Sequence, residues 1–130
     1  MSLKLYLSLT CIDIFYEANN HKEHFENVFS SISTTLSTLL ENNLRIIENG
    51  NDVIDKIKFA EFFYNIRNSY THAGIRFHSD GTSKYTLVQK FIVGTAKNKS
   101  IKELQIEKGF DLVDFIIKVS IDNAKKKFEF

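Results

Sequence analysis

Residues 53–73 carry apolar side chains at helical spacing on two sides of what would be one helix, and this restricts the available folds more than any other stretch. At about 100° per residue, Phe59, Phe62, Phe63, Ile66, Tyr70 and Ala73 fall on one face. Val53, Ile57, Ala60 and Tyr64 form a second stripe well round the same helix. A helix apolar on two sides is either central in a bundle or shared with a partner chain. Its ends are marked by Gly50-Asn51-Asp52, a stop followed by a good N-cap, and by Gly74, suited to a left-handed C-cap; Asp55 fits the dipole in the first turn.

The flanking sequence is helical in the same way. Leu5, Leu9, Ile12 and Tyr16 repeat at helical spacing until Asn19-Asn20. Phe25, Val28, Phe29, Ile32, Leu36, Leu39, Leu40, Leu44 and Ile47 form a longer stripe, interleaved with seven Ser and Thr residues between Ser30 and Thr38. Those residues are poor helix formers, so tertiary packing must hold this helix. Phe110, Val113, Ile117, Ile121, Ala124 and Phe128 predict a last helix that follows Gly109 and Asp111 and ends in Lys125, Lys126 and Lys127. Between the last two helices, Asp80-Gly81 signals a turn, and 86–93 and 101–107 read as a small irregular or hairpin-like excursion. No proline and only five glycines interrupt the chain, so long helices are permitted. The expectation is an all-α fold, one domain over 1–130: an antiparallel bundle of four to five helices at about 2–18, 22–48, 53–73 and 110–127, with the hairpin-like insertion before the last. Its core is expected to include Ile32, Leu36, Leu40, Phe62, Phe63, Ile66, Val113 and Ile117.

One cysteine, Cys11, excludes an intramolecular disulfide and, set among apolar residues, reads as a buried structural thiol. The apolar run after Lys4 resembles a short signal core, but Asp13 interrupts it and no run approaches the ~18 apolar residues of a membrane span. The chain therefore reads as cytoplasmic, without membrane contact. Net charge is +1, but unevenly distributed: residues 1–55 hold three basic and eight acidic side chains, and 56–130 hold fourteen and eight. The basic half suits a phosphate-bearing ligand, although a solvated lysine-rich surface would look the same.

That half contains Arg67-Asn68-Ser69-Tyr70-Thr71-His72 at a predicted helix end. On an ideal helix Arg67 and His72 are about 140° and ~7.5 Å of rise apart, with Asn68 and Thr71 between them beside the second apolar stripe. A single chain presents both to one broad face without converging them on one atom. A two-fold axis along that face would bring two Arg and two His together. The residue types suit metal-independent RNA cleavage. His moves a proton near neutral pH, Arg offers phosphate oxygens a planar fork that stays charged, and the Asn amide can orient either.

The pattern Arg67-Asn68-x-x-x-His72 at the end of a helix resembles that of the HEPN superfamily, many of whose members are metal-independent ribonucleases. The likeness covers about eight residues as sequence and most of the chain as architecture. It implies a homodimer whose two motifs build one composite cleft, with Arg67, His72 and Asn68 catalytic, Thr71 and Tyr64 near substrate, RNA as partner, and no cofactor or metal. It further implies toxin–antitoxin or antiphage systems, with a cognate antitoxin or defence protein as a further partner. HEPN toxins paired with small nucleotidyltransferases carry a modified Tyr two residues after the motif His; here Gly74 stands there, so the resemblance does not extend to that control. A non-catalytic HEPN-type dimerisation or interaction module is the alternative. Elsewhere, His21 and His24 lack the Cys or second acidic cluster of a metal site, His78 lies in an expected loop where it could touch substrate, and there is no Gly-rich phosphate loop, CxxC or GxSxG.

Overall fold

The computed structural model describes residues 2–16, 18–53, 55–73, 78–79, 85–94 and 99–128, with side chains described over 3–16, 18–52, 55–68 and 103–128. The chain is largely helical, but it is not all-α. Its five helices are α1 (Ser2–Ile12), α2 (His21–Ser30), α3 (Thr34–Asn43), α4 (Lys56–Ala73) and α5 (Leu112–Phe128). They share a core with an antiparallel sheet of β1 (Leu44–Glu48), β2 (Asn51–Val53), β3 (His78–Ser79), β4 (Tyr85–Gly94) and β5 (Lys99–Glu107), in the order β2-β1-β5-β4-β3.

The long helix expected over 22–48 is two helices and a strand. Asn20 caps α2 by accepting from the Glu23 amide at 2.8 Å, and the Glu23 carboxylate reaches back to the Asn19 amide at 3.1 Å. The helix stops where Ser30 and Ser31 turn their hydroxyls onto the carbonyls of Glu26 and Asn27. Ser33 then caps α3 through its hydroxyl and the Leu36 amide. The Ser/Thr run thus breaks the helix, because such side chains offer the backbone competing hydrogen bonds. Beyond Asn43 the chain extends: Leu44 and Ile46 are buried while Arg45 is exposed, a period of two. Asn49 and Gly50, at φ 52° and 82°, form the two-residue turn of the β1–β2 hairpin, with Glu48 opposite Asn51. What read as a helix stop and an Asp52 cap is this turn. The cap of α4 is Asp55, whose carboxylate accepts from the Ile57 amide at 2.9 Å.

The hairpin-like excursion before the last helix is real, and longer than expected. β5 sits at the centre of the sheet, pairing β1 from Leu44↔Ile106 to Glu48↔Lys102 and β4 from Tyr85↔Glu107 to Gly94↔Lys99, with a bulge between Leu87 and Gln89. His78 lies on edge strand β3 rather than in a loop. Leu44 and Ile46 of β1, with Leu104 and Ile106 of β5, give the sheet one buried apolar face.

That face joins the helices in one core. α1 packs on α4 and α5, and α2 packs on α4 and α5, so four helices form the bundle that the apolar stripes predicted. Phe63 stacks on Phe29 at 5.4 Å and on Phe59 at 6.5 Å, and Phe59, Phe62, Phe63 and Ile66 are buried. Ala60, on the second stripe of α4, is fully buried, and Tyr64 lies half-buried edge-on to Phe25 at 5.8 Å, while Ile57 is exposed. The second stripe is thus buried within the chain at Ala60 and partly at Tyr64, while Val53 lies in β2 rather than on the helix. On α5 the buried stripe is Leu112, Phe115, Ile116 and Val119, and Ile117, Ile121 and Phe128 are exposed. The buried positions fall about one residue before the expected ones, with Val113 half-buried against the core and Ile117 exposed, and Asp111 caps the helix by accepting from the Asp114 amide. The first helix ends at Ile12 rather than near 18, closed by bonds from Asp13 to Thr10 and Ile14 to Cys11 and by Phe15 at φ 63°.

Candidate functional site

About 40° of helix rotation separates Arg67 from Phe63, which puts its stem inside the apolar arc of α4. A cation there needs an anion within reach, and Asp13 supplies it from the turn after α1. Nε of Arg67 lies 2.8 Å from Oδ2 of Asp13, the two side chains being 23% and 17% exposed. The Nε–H is not aligned on that oxygen, and Nε remains buried without a hydrogen-bond partner, so the contact is a charge pair rather than a directed bond. Nη1 donates to Oδ1 of Asn68 at 3.0 Å. Arg67 and Asn68 are thus brought together and anchored at the α1–α2 corner.

The other Asp13 oxygen, Oδ1, lies 3.0 Å from Nδ1 of His21. A carboxylate only accepts, so Nδ1 carries the proton that faces Asp13. Tyr16 lies against both His21, at 4.7 Å between ring centroids, and His24, at 5.3 Å. Asp13, Tyr16, His21 and Arg67 therefore form one cluster in which a carboxylate orients a histidine and an arginine together. Sequence reading did not foresee Asp13 or His21 here. Its one signal was that Asp13 breaks an apolar run.

The backbone of α4 carries the motif through Thr71 and His72 to Ala73, the last of its described residues. The side chains of Thr71 and His72, the proposed cap at Gly74 and the Asp80-Gly81 turn lie outside the described residues. Tyr64 sits on the same helix with its ring against Phe25. Among the described residues no group of three or more His, Cys, Asp or Glu is placed to hold a metal ion, and no helix is long and apolar enough to cross a membrane. Comparison with family models, with curated proteins and with solved structures finds no match for this chain.

Proposed function

We propose that this chain is a HEPN-type, metal-independent endoribonuclease acting as a homodimer, with Arg67, Asn68 and His72 of both protomers forming one cleft. The reading rests most on Arg67, a guanidinium fixed by Asp13 and Asn68 on the helix that carries His72. In such a cleft Arg67 would stabilise the crowded, negatively charged phosphorane, and His72 would move the proton at the 2′-hydroxyl or the leaving oxygen. Thr71 and Tyr64 would line the approach. An antitoxin or defence partner in the cytoplasm belongs to the same reading.

The ion pair favours a second reading. A guanidinium neutralised by Asp13 is also what a structural role requires, as in a non-catalytic dimerisation module. Incubating the protein with single-stranded and structured RNA in EDTA separates the two. Catalysis predicts cleavage leaving 2′,3′-cyclic phosphate ends, lost in Arg67→Ala/His72→Ala and blocked by deoxyribose at the scissile nucleotide. Intact RNA, or equal cleavage by the double variant, would favour the module.

A further inference from the structure

Between α2 and α5 lies an open cavity of about 230 Å³ lined almost entirely by polar side chains. Two of its lining side chains are nine-tenths buried or more: His24, 3% exposed, and Asn123, 9% exposed. Neither is satisfied by the fold. His24 donates from Nε2 to the carbonyl of Ile12, and its Nδ1 has no partner among the described residues. The Asn123 amide likewise has no partner there, and neither group is sealed from solvent. Their polar atoms therefore stay reachable from the cavity, by water or by a ligand.

The chemistry of the lining points to one ligand class. Asn123 and Asn27 each offer a donor and an acceptor, His24 offers its second ring nitrogen, and Val28 supplies an apolar wall. That set matches the hydrogen-bonding edge and the face of a flat heterocycle. The volume is below the ~300–1,000 Å³ of ordinary ligand pockets, so it takes one ring system and leaves the rest of the ligand outside. At the mouth stand Lys126 and Lys127, in the last turn of α5, with Lys126 held 3.0 Å from Asp122.

We propose that this cavity is a nucleotide site, taking a nucleobase between α2 and α5 and its phosphate at Lys126 and Lys127. The nucleotide comes either free or as an unpaired residue of an RNA strand. Occupancy does not depend on the proposed cleavage chemistry, and the strand arm of the test uses protein with Arg67→Ala/His72→Ala so that loss of cleavage and loss of binding read out separately.

The side-chain amide resonances of Asn27 and Asn123 are followed by NMR while AMP, CMP, GMP, UMP, inorganic phosphate or four-nucleotide homopolymeric RNAs are added. At least one nucleotide or tetramer is expected to shift both amides. Asn123→Leu, which fills the cavity, and Lys126→Ala, on the exposed end of α5, should each weaken the binding tenfold or more in protein whose backbone spectrum remains folded. Mononucleotide binding as tight as that of the tetramer assigns a free nucleotide; tighter tetramer binding assigns a strand. The proposal is overturned if no nucleotide or tetramer shifts these amides, if phosphate alone reproduces the shifts, or if folded Asn123→Leu binds as wild type does.

Discussion

Arg67 is a residue whose position on its helix and whose chemistry disagree, and Asp13 resolves the conflict. The stem points into an apolar arc, and the charge survives there because a carboxylate from another element meets it at 2.8 Å. Neither side chain is fully buried, so the pair should be worth more than an exposed ion pair and less than a dry one. Asp13→Ala is expected to destabilise the protein by about 1–3 kcal/mol. A double-mutant cycle with Arg67→Ala, followed by urea unfolding, should show coupling of about 0.5 kcal/mol or more; additive effects would show the contact to be idle. Arg67, Asn68 and His72 stood out in the sequence because they lie together in a helical register. Asp13 and His21 did not, because pairing across a turn and between α1 and α4 leaves no periodic trace.

At the scale of elements, the apolar stripes made α4 and α5 legible, but α4 is capped by Asp55 rather than by the expected Asp52. They failed where local hydrogen bonding outweighs periodicity. The stripe from Phe25 to Ile47 continues at helical spacing through Ser31-Ile32-Ser33, yet the serine hydroxyls end one helix and cap the next. Asn49-Gly50 was the overlooked signal: an Asn-Gly pair between residues that alternate in burial defines a hairpin. Gly50 has φ +82° and open space around it, so Gly50→Ala meets only the backbone penalty. The expected cost is about 1–2 kcal/mol, read from the shift in the urea midpoint; no change would mean that the turn is not held in this form.

For the whole molecule, the stripes foretold a helical bundle but not the sheet that completes its core, and they left open whether the second stripe of α4 is buried within the chain or shared with a partner. The contacts across the sheet are long-range: Leu44 meets Ile106 and Ile46 meets Leu104, pairings that no local pattern announces. Both parts rely on the same apolar cluster, so Phe63, fully buried and stacked on Phe29 and Phe59, is its most sensitive point. Phe63→Ala should cost about 3–5 kcal/mol in a single cooperative transition; a small loss confined to the helical signal would mean that sheet and bundle are separate units. A composite cleft further requires that the protein sediment as a dimer at tens of micromolar, and a monomer there would count against it. The proposed proton transfer by His72 during RNA cleavage is read from the rate of cleavage by His72→Ala in EDTA. A fall of about 10²–10⁴-fold with the dimer intact is predicted, and undiminished cleavage by the variant would contradict it.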